Sequence, residues 1–393
     1  MKTTLLITIL LITSNLNISA QWLQTNLSGE SIKCFAESGA NIFSGLDFNG
    51  GIYLSTDNGG TWIAVNNGLT NKNVNSIATS GTSIFAGTSN GIFLSNNNGS
   101  SWTSVNSGLT STYVNSIAIS GTNIYAGTFL GGIFLSTNNG SSWTAVNVGL
   151  TNTNVRSIAV SGMNIFAGTN GGVFLSDNNG NSWTAVNNGL IDIDIEVLVI
   201  SGTNIFAGTH SGGIYLSNNN GNSWAPINNG LTSMYIHSII ADGTTIFAGT
   251  ENGGVFLSND TGNSWTAINN GLSDLNIYAL TRIGTNIFAG TGGEGIWIRP
   301  LNEIMGTKNI ISNIHYTIYP IPFCFSTTVQ LNDFLKNATL TIDNSFGQTL
   351  KQIKNISGQT ILLFRDNLPT GVYYMRLTEE NQIIAFSKLV ITD

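Results

Sequence analysis

Seven copies of one phrase of about 40 residues constrain this chain more than any single motif in it. Trp22, Trp62, Trp102, Trp143, Trp183, Trp224 and Trp265 follow one another at spacings of 40, 40, 41, 40, 41 and 41. A second marker keeps the same beat: Asn41-Ile42-Phe43-Ser44-Gly45 returns as Ser83-Ile84-Phe85-Ala86-Gly87, then from Asn123, Asn164, Asn204, Thr245 and Asn286. A repeat of this length, written as short apolar runs between Gly/Asn turns, predicts four-stranded propeller blades. No stretch of the array sustains a 3.6-residue period, which argues against a helical solenoid.

The unit from Val155 to Leu190 shows the expected blade. Strand A is Val155–Val160, strand B Ile165–Thr169, strand C Gly172–Ser176 and strand D Ser182–Val186. Ile, Val and Phe suit a sheet covered on both faces. Gly and Asn at the turns supply positive φ at little steric cost. After Ile298 the pattern breaks at Arg299-Pro300 with no fourth strand, and Trp22-Leu23-Gln24-Thr25-Asn26-Leu27 aligns with Trp62-Ile63-Ala64-Val65-Asn66-Asn67. The N-terminal strand is therefore expected to complete blade 7 and close the ring without an open sheet edge.

The turn between strands C and D carries a resemblance. Ser55-Thr56-Asp57-Asn58-Gly59-Gly60-Thr61-Trp62 resembles the Asp-box of the BNR/sialidase-like propeller superfamily, and further copies start at Ser95, Ser136, Ser176, Ser217 and Ser258. Only Asp57 and Asp260 keep the acid; Asn97, Asn138, Asn178 and Asn219 replace it. The resemblance implies a structural clamp. The Asp or Asn caps the turn, Gly59 and its counterparts take the left-handed position, and the tryptophan buries roughly 150–250 Å² against the next blade. A calcium site is disfavoured, because most copies offer no carboxylate. No metal and no cofactor is expected.

Both ends differ from the array. Residues 1–20, with Lys2 and the apolar run Leu5–Ile12, read as a cleaved signal peptide. No other apolar run approaches 18 residues, so no transmembrane segment is expected. Cys34 and Cys324 are expected to be unpaired. The repeat spans residues 21–300, residues 301–316 read as a linker, and from Thr317 short strands suggest a small β-sandwich. The segment 317–393 resembles the type A C-terminal sorting domain of the type IX secretion system of Bacteroidetes. The resemblance rests on Tyr319-Pro320-Ile321-Pro322-Phe323, Leu340–Gln348, Leu368-Pro369-Thr370-Gly371-Val372-Tyr373-Tyr374 and the closing Lys388-Leu389-Val390-Ile391. It implies engagement of the outer-membrane secretion machinery, export, and usually removal of this domain. The mature protein is then released or attached to the cell surface.

Up-and-down topology locates the candidate face. The A–B and C–D turns on one side are nearly identical from copy to copy, whereas the D–A and B–C connections on the other vary, and loops on a rigid scaffold usually carry binding chemistry. The candidate ligand-binding residues there are Phe48, Tyr113, Phe129, Arg156, Asp192, Asp194, Glu196, Tyr235, His237 and Tyr278. The sialidases of the resembled superfamily use an arginine triad, which disfavours that activity here: the array contains only Arg156, Arg282 and Arg299, which do not share one blade position, and Trp297-Ile298-Arg299-Pro300 lies at the wrong end to be a Phe-Arg-Ile-Pro motif. A two-carboxylate glycosidase resembling the Asp-box xyloglucanases is the alternative. Net charge −7 with 8% charged residues argues against nucleic acid and anionic membranes as partners. The expected protein is a secreted, monomeric, non-catalytic propeller binding a glycan or a protein.

Overall fold

The computed structural model describes residues 21–305, 316–344, 349–379 and 382–392; the signal-peptide reading of residues 1–20 lies outside them. The chain divides into two compact units, one ending at Pro300 and the other beginning at Leu301.

The first unit consists of seven four-stranded antiparallel sheets, each pairing A-B-C-D in order. In blade 4 these are Val155–Ser161, Asn164–Thr169, Gly172–Ser176 and Thr184–Ala185. Blade 7 is assembled from both ends of the array: Leu23 and Gln24 pair with Ile298 and Trp297. Trp22 donates its indole N–H to the Ile268 carbonyl of blade 6 at 2.7 Å, as Trp183 does to Val146 of blade 3 at 2.7 Å. The N-terminal strand therefore fills the slot its sequence matches.

The core lies between blades, not within them. One cluster joins Tyr125 and Ile133 of blade 3 to Val155, Phe174 and Trp183 of blade 4. The repeat tryptophans pack against the preceding blade in chain order, where the sequence suggested the following one, and all but Trp62 donate the indole N–H to a carbonyl of its strand D or just past it. The glycine of the Phe-Ala-Gly-Thr strands has a packing reason: a Cβ on Gly168 would lie 2.7 Å from Ile195 of the next blade. Strands A of neighbouring blades meet around the axis, where Ser116 Oγ accepts the Ile158 N–H at 3.2 Å and Ser157 Oγ that of Leu198 at 3.0 Å.

Strand D is shorter than the expected five residues. Only two residues pair in each blade, and in blades 1 to 6 the asparagine four positions after the tryptophan turns its side chain onto strand C. Asn187 Oδ1 accepts the Val173 N–H at 2.7 Å, and Asn106, Asn147, Asn228 and Asn269 repeat the bond. The C–D turns are clamped by hydrogen bonds within each turn. Ser55 donates to Asp57, Gly59 N–H to Ser55 Oγ at 2.8 Å, and Thr61 N–H to Asp57 Oδ1 at 2.8 Å. Asn97 makes the same contacts with Ser95 and Ser101, so the uncharged copies hold the same geometry.

The second unit is a five-stranded antiparallel sheet curled around its own core of Val329, Leu340, Leu363, Met375 and Leu389. Its long strand Ser326–Asp343 pairs with Thr349–Phe364 along both halves, with Tyr316–Tyr319 near its start and with Gly371–Glu379 near its end. The β-sandwich expected here is thus made by one hydrogen-bonded sheet doubling over. Residues 301–305 of the expected linker form a single helical turn. Cys34 and Cys324 form no disulfide, and burial pushes the Cys34 thiol up to about 12.

Candidate functional site

Every strand A begins with the same irregularity. The register with strand B slips by one residue between Ile32 and Cys34, Val74 and Ser76, Val114 and Ser116, Val155 and Ser157, Ile195 and Val197, Ile236 and Ser238, and Ile277 and Ala279. The extra residues are Lys33, Asn75, Asn115, Arg156, Glu196, His237 and Tyr278. A β-bulge leaves one residue out of the ladder and re-aims its side chain. Seven bulges in register thus set seven varying side chains around the axis at the D–A/B–C face.

The ring is not uniform. In blades 2 and 3 the bulge asparagines are structural: Asn75 and Asn115 each donate to the strand A carbonyl of the following blade, Val114 and Val155, at 2.9 Å. From blade 4 onward the side chains touch one another instead. Arg156 ion-pairs with Glu196 and reaches Asp194 at 3.5 Å. Glu196 meets His210 Nδ1 at 3.2 Å. The rings of His210 and Tyr235 lie 4.1 Å apart, Tyr235 and His237 4.4 Å, and His237 and Tyr278 4.7 Å. Lys33 sits 4.6 Å above the Tyr278 ring and pairs with Asp47 at 3.3 Å. A continuous arc therefore runs from blade 4 through blade 7 to blade 1.

Charge within the arc is set by burial. His237 donates or accepts across 2.9 Å to Glu251, yet burial holds its pKa below the ordinary histidine value against the pull of that carboxylate. The Tyr235 hydroxyl is raised, first by burial; it also feels Arg156, Glu251, Asp194 and Tyr278. Asp192 lies on the rim. Burial works against its ionisation, but hydrogen bonds from the Asp194 N–H and from Ser211 hold it below the usual carboxylate range. Asp194, Glu196 and His210 bring three ligand-type atoms within 4.8 Å. Arg156 already pairs with both carboxylates there, so a guanidinium takes the place a metal cation would need.

Of the expected residues, the arc gathers Arg156, Asp194, Glu196, Tyr235, His237 and Tyr278. Tyr113 and Phe129 form a separate pair, with ring centroids 5.9 Å apart, between blades 2 and 3. Phe48 stands alone, 81% exposed. Lys33, His210 and Glu251 complete the arc and are not among the expected site residues. Their signal is a spacing: each bulge residue faces the residue 14 positions later, as in Lys33–Asp47, Glu196–His210 and His237–Glu251.

In the second unit, Tyr373 is buried and donates its hydroxyl to the Pro369 carbonyl at 2.7 Å. Thr327 Oγ1 donates to the Pro320 carbonyl at 2.8 Å. Gly371 pairs with Ile391, and Lys388 with Tyr374. Lys388 thus lies within the final hairpin, Pro322 precedes Phe323, whose N–H meets the Val390 carbonyl at 3.0 Å, and Pro320 is held by the long strand.

Comparison with known families agrees with both units. Residues 120–233 match the DUF6242 beta propeller domain, and residues 317–392 match the secretion system C-terminal sorting domain. The chain thus joins a β-propeller to a type IX sorting domain, and that domain implies secretion to the cell surface or beyond. No curated protein matches the chain. Among solved structures, YCF48 from Cyanidioschyzon merolae is 17% identical, with TM-score 0.57 over 72% of this chain and 99% of that one. PorZ, a surface component of the type-IX secretion system of Porphyromonas gingivalis, is 15% identical, with TM-score 0.53 over 91% of this chain and 59% of its own. The GH74 enzyme of Niastella koreensis is 20% identical, with TM-score 0.53 over 70% of this chain and 43% of its own. At these identities the likeness shows the fold. No helix among the described residues is long and apolar enough to cross a membrane.

Proposed function

We propose that the protein is a non-catalytic propeller, released or held at the cell surface, that binds a glycan or protein ligand on the face carrying the seven bulges. The observation that carries this reading is the arc from Arg156 to Lys33, in which aromatic rings and charged groups from five blades converge without forming a blade core. Such clusters on a rigid scaffold suit recognition. One YCF48 structure was solved with a D1 peptide, which supports ligand capture by a related fold.

The glycosidase reading draws support from the GH74 relatives. Against it, the acids of this face are engaged elsewhere: Glu196 by Arg156 and His210, Glu251 by His237, Asp192 by Ser211. Asp194 and Glu196 lie two residues apart and share one guanidinium, so they do not flank a sugar from opposite sides as a hydrolytic pair must.

The test is a glycan array with the purified protein, followed by a reducing-sugar assay on each hit. Tyr235→Ala or Tyr278→Ala should weaken binding roughly tenfold, about 1–2 kcal/mol, with little change in melting temperature. Asn138→Ala in a C–D clamp should lower the melting temperature and spare affinity. Binding that follows the clamp face instead, or sugar release from a hit, would overturn the reading.

A further inference from the structure

The exposed apolar side chains of the propeller concentrate on the bulge-bearing face. Ile191 is 87% exposed, and Ile193 and Met234 are also exposed. All three adjoin the arc in sequence, Ile191 and Ile193 around Asp192 and Met234 beside Tyr235. On the opposite face the A–B turns expose only Met163. The same bulge-bearing face keeps Phe48 at φ 49° and Leu130 at φ 61°. Side chains of that kind are disfavoured there, and Asn252 holds the position matching Leu130 in blade 6. Bulky apolar residues are therefore displayed on this face even where the backbone would favour asparagine or glycine.

Its electrostatics are lopsided as well. The cations of the face are Lys33, Lys72 and Arg156. Lys33 and Arg156 are already paired, with Asp47, Asp194 and Glu196. Among the described residues no cation pairs with Glu30, Glu251, Asp274 or Glu294. Glu251 is the one inside the arc. Its Oε2 lies 2.9 Å from Nε2 of His237, whose charged form burial disfavours, and it stands beside Tyr235. A carboxylate edged by aromatic rings is a receptor for an ammonium or guanidinium group.

We infer that the ligand of this face is a polypeptide segment whose lysine or arginine side chain enters the arc at Glu251, beside Tyr235, while apolar neighbours on the same segment settle on Ile191, Ile193 and Met234. The inference rests on the binding reading above and narrows it to protein. Aliphatic side chains offer a sugar neither a flat ring to stack on nor a hydrogen bond, and a neutral glycan has no cation to meet Glu251. The acidic field of the face also favours a basic partner at long range, with strong salt dependence.

The experiment uses the full chain and three probes: a 12-residue synthetic peptide alternating leucine with lysine, the same peptide with glutamate for every lysine, and a neutral oligosaccharide array. Binding is followed by fluorescence anisotropy at low and at physiological salt. The lysine peptide should bind and the glutamate peptide should not. Glu251→Gln and Ile191→Ser should each weaken the lysine peptide about tenfold at unchanged melting temperature, since neither side chain belongs to a core. Asp177→Asn, which removes the same charge from the opposite face, should change nothing. Equal binding of both peptides, or equal loss with Asp177→Asn, overturns the inference. If oligosaccharides bind in a Tyr235-dependent manner and peptides do not, the binding face stands and its protein ligand falls. If no probe binds, both fall.

Discussion

At the scale of the residue, six C–D turns form a controlled comparison, because two use a carboxylate where four use an amide. Hydrogen bonds from Thr61 and Ser55 hold Asp57 below its ordinary value, and those from Ser264 and Ser258 bring Asp260 down to about 2. A depressed folded-state value means that the stabilisation is complete above the unfolded value, near 4, and is lost as pH falls through the folded one. Between about pH 4 and pH 2 the amides of Thr61 and Ser264 should therefore lose protection from hydrogen exchange by NMR. Those of Ser101, Ser142, Ser182 and Ser223, bonded to Asn97, Asn138, Asn178 and Asn219, should not. Loss at all six together would mean that acid acts on the fold and not on the clamps. The clamp residues were legible in the sequence because each recurs in one slot of a repeat. The pairing of Glu251 with His237 and of His210 with Glu196 was not, because it depends on which strand A residue is bulged out. A bulge leaves no mark in composition, and its 14-residue spacing shows only once the bulged residue is known.

At the scale of the element, strands B and C read directly from their apolar runs, whereas strand D was read too long. Alternation after the tryptophan suggests five paired residues, but the asparagine four positions on competes with the ladder and replaces a strand bond with a side-chain bond. Removing it leaves a strand C amide without its acceptor. Asn187→Leu should cost about 1–3 kcal/mol, the penalty of an unmade bond, measured by urea unfolding. Thr184→Ala, at an exposed position in the two-residue strand beside it, should cost far less. Equal costs would show that strand D and not the asparagine side chain holds the outer edge. The same tension between ladder and side chain operates at the bulges, where one residue leaves the sheet in every blade and seven side chains become available for other work.

At the scale of the whole molecule, most of the buried polar atoms without a partner among the described residues lie where the ends of the ring meet. Trp102, Trp143, Trp183, Trp224, Trp265 and Trp22 each donate an indole N–H to the preceding blade. Trp62, which faces the closing strand, has no such acceptor among the described residues. Its backbone N–H goes to the Asn26 side chain at 3.1 Å, whereas Trp102 uses a backbone carbonyl at 2.8 Å. Ser31, Ser44 and Trp297 also bury unpaired polar atoms in blades 7 and 1, and Ser44 stands where the other six strands carry alanine. Each unmet polar group costs about 1–3 kcal/mol, so this seam should open before the other six interfaces do. Hydrogen exchange followed by mass spectrometry should then show the segments 22–35 and 286–300 exchanging ahead of the matching segments of blades 3 and 4. Ser44→Ala should slow that exchange and raise the melting temperature, since it removes a buried hydroxyl and restores the residue of the other blades. Deleting Gln21 to Leu27 should expose the strand C edge of blade 7 and cause aggregation. Uniform exchange around the ring, together with a neutral Ser44→Ala, would mean that the closing strand binds as tightly as any covalently continuous blade.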